Sequence, residues 1–335
     1  MKKTQIFSKN LSSDQKELLK EIVPSFFDEQ LEDFKLTLEE KCDTNILYHY
    51  TSMSTLQAIL NRVETAEKDS NCFILRGTDI EYLNDKTEFI LASQILSEEL
   101  CKYEDSLENK ENKHIAKVLT PEYLRNFSTF FGHSTVPFVT SFSENANSLP
   151  MWNTYGNSGK GVAIGIERIS FKDFDYQLKS STPTWVKCAY DSKLLTEILS
   201  RAAKDIYKMF EKTKSGIKFN GFPNTKSISA YFCLLKHFAF EYEQEWRLVK
   251  SYDEIEAKKE IKFHESNGLL KPYVEHSFPK SILKEVIIGP SSEKEISKKS
   301  LIMSLKRAGY LTNEKDSNKD YFVKISDSKI PYRRI

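Results

Sequence analysis

The sequence predicts an α+β fold built on a mixed, mainly antiparallel sheet with flanking helices. Short runs rich in aromatic and β-branched residues alternate with helical stretches, but they lack the regular strand–helix period of a doubly wound sheet. A chain of 335 residues with 39% hydrophobic content can bury a large core, so we expect one elaborated domain. We expect an N-terminal helical extension at residues 1–44, the α+β domain at 45–310 and a C-terminal extension at 311–335.

Helical periodicity and strand-type runs define the expected elements in chain order. Strands are expected at residues 46–51, 72–75, 137–144, 161–167, 185–191, 244–252 and 285–290. Helices are expected at residues 11–41 with a break at Pro24, after Thr51, from Asp85, and at 149–155, 192–214, 227–238 and about 296–305. Ser52 or Ser54 is the expected N-cap of the helix after Thr51. The charged segment 104–117 is expected to form an exposed connection.

Composition limits the classes of protein that the chain can belong to. With 49 Lys and Arg against 48 Asp and Glu, there is no net field to hold the whole protein on nucleic acid or an anionic membrane. The N-terminus lacks an apolar signal region, and no stretch approaches the roughly 18 apolar residues that span a bilayer, so we expect a cytoplasmic protein without a membrane partner. The widely spaced cysteines are expected to be buried free thiols, and the histidine spacing indicates no metal site. These cysteines are Cys42, Cys72, Cys101, Cys188 and Cys233.

The first candidate functional residue is His49, in the strand-like run LYHYTS. Side chains alternate across a strand, so Leu47 and His49 are expected to face one way and Tyr48 and Tyr50 the other. A histidine near a strand end can hydrogen-bond a ligand hydroxyl. It can equally be a structural residue whose hydrogen bonds are satisfied inside the protein.

Two hydroxyls form the second candidate group, in the run FVTSFSE. Ser141 and Ser143 are expected on one face of a strand, and Thr140 and Phe142 on the other. Such a pair can bind a sugar or phosphate edge, or it can pair with neighbouring strands.

The glycines of the following run, 156–165, come after a helix and before a strand. A dinucleotide fingerprint needs the opposite order, so these glycines are expected to form a turn that enters the sheet closely.

The third candidate group is acidic and lies in FEYEQEWRLVK. If the strand begins near Glu243, then Glu243, Glu245 and Arg247 project from one face. Such a group is either an exposed charge ladder or a site. A buried carboxylate needs a partner, and Arg247 can orient Glu245 through a charge-assisted hydrogen bond.

Five ordered blocks resemble a bacterial family catalogued as domain of unknown function 2971. They are YHYTSMSTLQAIL, RGTDIEYLNDKTEF, VTSFSENANSLPMWNTYGNSGKGVAIGI, CLLKHFAFEYEQEWRLV and EVIIGP, and they span about residues 46–305. The blocks in turn look like a distant version of the ADP-ribosyltransferase fold. The resemblance therefore implies a site that takes NAD as its cofactor and substrate.

The resemblance also implies roles for individual residues. It makes Glu245 the catalytic carboxylate with Glu243 as the upstream acid, and it places His49 in the catalytic group as well as in a ribose contact. Tyr82 or its rival Tyr155 would stack on nicotinamide. Tyr50, Thr51, Ser141, Ser143 and Arg247 would complete the NAD-binding set.

The expected function is an NAD-consuming enzyme, either an ADP-ribosyltransferase or an NAD glycohydrolase. Its role would be that of a toxin-like or phage-defence effector, with a protein or nucleic-acid acceptor and an inhibitory partner protein. The alternative is a non-catalytic nucleotide or nucleic-acid binding module, and a third possibility is an interaction scaffold. A nucleic-acid target would need a basic surface, which the segment 212–227 with its lysines and two phenylalanines could supply.

Overall fold

The computed structural model describes the sheet domain. The described residues are 45–65, 73–83, 87–107, 116, 120, 137–168, 183–213, 233, 235–252, 259–266, 268–291, 293–313, 315 and 321–332. The helices predicted within residues 1–44 lie outside the described residues, and so does nearly all of the basic segment 212–227.

The described residues form ten strands, five α-helices and three 3-10 helices. The strands are β1 (Ile46–Thr51), β2 (Phe73–Asp79), β3 (Pro137–Ser143), β4 (Val162–Glu167), β5 (Thr184–Lys187), β6 (Glu245–Ser251), β7 (Lys262–Ser266), β8 (Leu269–Phe278), β9 (Leu283–Ile288) and β10 (Lys324–Asp327). The α-helices are α1 (Met53–Thr65), α2 (Thr87–Ser106), α3 (Leu149–Thr154), α4 (Ser192–Thr213) and α5 (Lys294–Arg307). The 3-10 helices are Ile80–Tyr82, Phe238–Glu243 and Lys280–Ile282.

All ten strands belong to one sheet, which branches at β3. The order along the main path is β10-β9-β4-β1-β3-β2-β8-β7, and β6 pairs with both β3 and β5. Neighbouring strands are antiparallel except for the parallel pair of β9 and β10. The predicted α+β class with a mainly antiparallel sheet is therefore confirmed. The C-terminal extension predicted at 311–335 adds β10 to the edge of this same sheet.

Local sequence explains where the first helix begins. The Thr55 N–H donates to Ser52 Oγ at 3.1 Å, so Ser52 caps α1, and Leu56 and Leu60 are buried against the sheet. The glycine-rich turn before β4 also has the predicted role, because a Cβ at Gly161 would collide with the backbone carbonyl of Thr51.

The sequence analysis misses one hairpin and extends one helix too far. The hairpin of β7 and β8 was missed, because the described part of β7 alternates mostly between exposed and half-buried positions and gives no core-facing pattern. The predicted helix 227–238 does not reach its predicted end. Leu235 forms a β-bridge with Ala189 there, and a 3-10 helix begins at Phe238. Residues 227–232 lie outside the described part of the chain.

A hydrophobic core lies on each side of the central strands β3 and β6. One core is formed with α2 and α4 and includes Val139 and Val249. The other is formed with α1 and α5 and includes Phe142 and Trp246. Because side chains alternate along a strand, Ser141 and Arg247 lie on the α2–α4 face of this strand pair, directly opposite each other in register.

The cysteine prediction holds only in part. Cys188 and Cys233 are buried free thiols, but Cys101 on α2 is exposed, because its position on the helix faces away from the core. Cys42 and Cys72 lie outside the described residues. None of the helices in the described part of the chain has the length and apolar character needed to cross a bilayer.

Candidate functional site

A pocket lies at the point where β1 separates from β3. These strands are paired at Tyr48 and Ser143, whereas β2 pairs with the same edge of β3 at Phe138 and Val139. Between these points the edge of β3 opens. The ring of His49 enters the opening, and its Nδ1 lies 2.9 Å from the backbone oxygen of Ser141.

The pocket has a volume of about 210 Å³ and brings together residues from distant parts of the chain. The lining residues that the sequence predicted are His49, Tyr50, Ser141, Tyr155, Glu243, Glu245 and Arg247. The lining residues that it did not predict are Tyr48, Leu83, Phe142, Met151, Thr154, Lys236 and Phe240. Both the predicted histidine and the predicted carboxylates therefore contact one cavity.

Three predicted residues are not among those that line this cavity. Ser143 is fully buried, and its Oγ donates to the backbone oxygen of Glu243 at 2.6 Å. Ser143 therefore supports the backbone at Glu243. Thr51 is buried at the end of β1. Tyr82 ends a 3-10 helix beside the lining residue Leu83, and its backbone oxygen accepts from Lys271 Nζ at 3.3 Å.

The two carboxylates are brought together by a turn that the sequence analysis did not predict. The strand begins at Glu245, and Glu243 is the last residue of a 3-10 helix. Between them Gln244 has a left-handed backbone with φ of 42°. Both acids remain buried on the pocket side, and each carboxylate accepts a hydrogen bond from Lys236 Nζ at 2.5 Å.

Arg247 forms a bidentate ion pair with Glu245. Its Nε donates to Oε1 and its Nη2 to Oε2, each at 3.0 Å, and its Nη1 donates to the backbone oxygen of Cys233 at 3.0 Å. The Arg247 side chain is only 1% exposed. Such planar pairs are strong and fix the orientation of the carboxylate.

These partners keep Glu245 ionised. Burial alone would raise the pKa of this carboxyl, but the positive charges of Arg247 and Lys236 outweigh that effect and lower the pKa to about 2. The thiol of Cys188 also lies 3.7 Å from Oε2. Glu245 is therefore a fixed negative charge throughout the physiological pH range.

Two tyrosines form hydrogen bonds with the segment 243–245. The hydroxyl of Tyr155, which follows α3, donates to Glu243 Oε1 at 3.0 Å. The N–H of Glu245 donates to the hydroxyl of Tyr190 at 2.7 Å. Burial is the main cause that raises the pKa of both hydroxyls, and the charge of Glu243 contributes at Tyr155. Both tyrosines therefore stay protonated at neutral pH.

His49 is a neutral imidazole with a defined tautomer. A backbone oxygen can only accept a hydrogen bond, so Nδ1 carries the proton and donates to Ser141. Burial lowers the pKa of the ring, although this hydrogen bond opposes the shift. At neutral pH the other nitrogen, Nε2, therefore carries a lone pair and can accept a hydrogen bond from a ligand.

Lys236 is the charged lining residue that the sequence analysis missed. A lysine directly after the apolar pair Leu234 and Leu235, seven residues before Glu243, was the available signal. Burial of such a lysine requires a nearby anion.

Among the described residues, no group of three or more His, Cys, Asp or Glu side chains is placed to hold a metal ion.

One segment of the chain matches a known protein family. No curated protein matches the sequence, and no solved structure does. The matching segment, residues 151–248, contains Tyr155, Lys236, both glutamates and Arg247, whereas His49 and Ser141 lie before it. Residues 151–248 match the family described as "Protein of unknown function (DUF2971)".

Proposed function

We propose that the pocket binds NAD and cleaves the bond between nicotinamide and ribose, as an ADP-ribosyltransferase or an NAD glycohydrolase does. One observation carries the proposal. The ionised carboxylate of Glu245 and the neutral imidazole of His49, nearly 200 residues apart in sequence, line the same pocket. Their arrangement along the chain resembles the ADP-ribosyltransferase plan, with a histidine on the first strand and a Glu-x-Glu pair where a late strand begins.

The chemistry of this bond suits a permanently charged carboxylate. Nicotinamide leaves with the bonding electrons and becomes neutral, so its departure needs no proton from the protein. Positive charge builds up on the ribose instead. A fixed anion stabilises that charge more in the transition state than in the ground state. Glu245 is such an anion because its pKa is about 2.

Glu245 also retains a place for a ribose hydroxyl. A carboxylate has about four lone-pair positions, two on each oxygen. Within the part of the chain that the structure describes, Oε2 accepts from Arg247, Lys236 and the Cys188 thiol, whereas Oε1 accepts one hydrogen bond, from Arg247 Nε. The second position on Oε1 would accept the 2′-hydroxyl of the nicotinamide ribose.

The rest of the pocket suits the nicotinamide end of the dinucleotide. The rings of Tyr50, Phe142, Tyr155 and Phe240 contribute flat apolar surface, on which an aromatic ring can stack. His49 Nε2 would accept a hydrogen bond from a ribose hydroxyl. Pockets for drug-sized ligands have about 300–1,000 Å³. A volume of about 210 Å³ would therefore enclose part of NAD and leave the remainder at the opening.

Consumption of NAD would give the protein the role of a toxin-like or phage-defence effector in the cytoplasm. Such an enzyme would pass ADP-ribose to water, to a protein or to nucleic acid, and an inhibitory partner protein would restrain it. The acceptor decides between transferase and glycohydrolase, and the same carboxylate serves both reactions.

A second candidate function is a nucleotide-binding module without turnover. The observation in its favour is the set of bonds that Arg247 and Lys236 make to Glu245, since the same pairing would also serve a purely structural network. In that case NAD or another nucleotide would stabilise the protein without being cleaved.

The two candidates differ in one assay. Purified protein is incubated with NAD, alone and with RNA, DNA or cell lysate, and released nicotinamide is measured. We expect release, reduced about 100-fold or more by Glu245→Gln. The matched control is Glu275→Gln on β8, a carboxylate that also pairs with two cations but lies away from the pocket lining, and it should release nicotinamide at the wild-type rate.

The absence of release from the wild type in every mixture would overturn the enzymatic proposal. A rise in melting temperature with NAD in that same experiment would support the binding module instead.

A further inference from the structure

The ammonium group of Lys236 lies between the two carboxylates of the pocket. Its Nζ is 2.5 Å from an oxygen of Glu243 and 2.5 Å from an oxygen of Glu245, and the side chain is 5% exposed. The lysine's own N–H donates to the backbone oxygen of Ala189 at 3.1 Å. This bond anchors the backbone of Lys236 to the chain after β5, and the two carboxylates hold its ammonium group.

The charges of this buried group are balanced. Two carboxylates, Glu243 and Glu245, face two cations, Lys236 and Arg247, and all four side chains are at most 5% exposed. The guanidinium of Arg247 donates hydrogen bonds to Glu245 and to the backbone oxygen of Cys233. Lys236 is the cation that forms an ion pair with Glu243 in the described part of the chain.

Other titratable groups surround the four charges without adding another cation at neutral pH. They are the neutral imidazole of His49 on β1, Tyr155 after α3, Cys188 and Tyr190 after β5, and Tyr242 of the 3-10 helix. If the lysine charge were removed, a buried carboxylate would lack a counter-ion. A group in that position takes up a proton rather than remain charged.

We infer that Lys236 is a positioning residue that supplies a shared counter-charge to both pocket carboxylates and fixes the distance between them. Its importance for nicotinamide release rests on the proposed function, whereas its effect on ionisation does not. The acid pair would otherwise share one proton, as two neighbouring carboxylates do when no cation separates them.

Infrared spectroscopy tests the ionisation directly, because a buried protonated carboxylic acid has its own C=O band. We expect no such band at pH 7 in the wild type or in Lys236→Arg, which keeps the charge. In Lys236→Met the band should be present at pH 7 and should disappear at higher pH, with a midpoint about 3 pH units above that of an exposed glutamate. The double variant Lys236→Met with Glu243→Gln has one carboxylate and one arginine again, so it should lack the band.

The pH dependence of stability gives a second readout. In Lys236→Met the pKa of the acid pair would lie above its unfolded value, so stability would be present at low pH and would fall as the pH rises through the raised pKa. Loss of the fold above neutral pH, with folding at pH 5, would therefore also support the inference. Lys236→Met without the band at pH 7, or unfolding of both the single and the double variant at every pH, would overturn it.

Nicotinamide release separates a positioning role from a structural one. We expect release by the wild type and by Lys236→Arg to be nearly constant from pH 6 to pH 8, and release by Lys236→Met to rise with pH as the shared proton leaves. A pH-independent loss in the folded Lys236→Met variant would contradict the positioning role. If the wild type releases no nicotinamide, the proposed function fails, and the infrared result still decides the ionisation.

Discussion

Two carboxylates in this protein have nearly the same partners but very different surroundings. Glu245 in the pocket pairs with Arg247 and Lys236, whose side chains are 1% and 5% exposed. Glu275 on β8 pairs with Arg62 at 2.7 Å and Lys262 at 2.6 Å, and these side chains are 43% and 52% exposed. The exposed pairs are screened by water and salt, whereas the buried group has no alternative partner in solvent.

This difference indicates which ion pairs the fold depends on. The partners of both carboxylates lower the pKa of the carboxyl, although burial opposes the shift in each case. A lowered pKa therefore does not by itself identify a functional carboxylate. Burial beside a cavity, together with a second acid and a histidine, distinguishes Glu245 from Glu275.

The largest expected effect comes from removing the buried arginine. Arg247→Met should destabilise the protein by about 3–5 kcal/mol, because it leaves Glu245 without its main counter-ion. The matched change Arg62→Met should cost less than about 1 kcal/mol, because its partner stays solvated. Urea unfolding at pH 7 measures both, and equal losses in the two variants would contradict the distinction between the buried and the exposed pair.

Acid should weaken the buried pair over a definite pH range. The pKa of Glu245 is lowered to about 2, so its contribution to stability is fully present above about pH 4.5 and is lost as the pH falls towards 2. Part of this acid dependence should be missing from Glu245→Gln and retained in Glu275→Gln wherever the variants fold. Unfolding free energies measured from pH 5 to pH 2 provide the comparison, and identical slopes for wild type and Glu245→Gln would be inconsistent with the lowered pKa.

Salt should have the smallest effect and should act on the exposed pair. Raising the ionic strength from 0.1 M to 1 M shortens the screening length from about 10 Å to about 3 Å. The difference in unfolding free energy between wild type and Arg62→Met should therefore shrink, whereas the difference for Arg247→Met should persist. A loss of the Arg247→Met difference at high salt would show that solvent reaches the buried pair.

Strand alternation made much of the site predictable from sequence. The spacing of His49, Ser141, Glu245 and Arg247 within strand-like runs was enough to place each on one side of a strand, and the resemblance placed them in one site. The structure brings these residues to one pocket, although their roles in binding or catalysis remain predictions.

The remaining features depend on backbone geometry that periodicity does not encode. The left-handed backbone of Gln244 keeps Glu243 beside Glu245 even though the strand begins only at Glu245. Lys236 falls within the predicted helix 227–238, but in the structure it lies in an irregular segment, so the helical pattern could not indicate where its side chain would point. Its contacts arise from the bridge between Leu235 and Ala189, a long-range pairing.

The most direct measurement compares the steady-state kinetics of nicotinamide release for wild type, His49→Ala and Glu245→Gln. We expect His49→Ala to raise KM about tenfold with kcat nearly unchanged, because one ligand hydrogen bond is lost. Glu245→Gln should lower kcat about 100-fold or more with KM nearly unchanged, since its charge acts in the transition state. Wild-type kinetics in both variants would show that this pocket is not where NAD is cleaved.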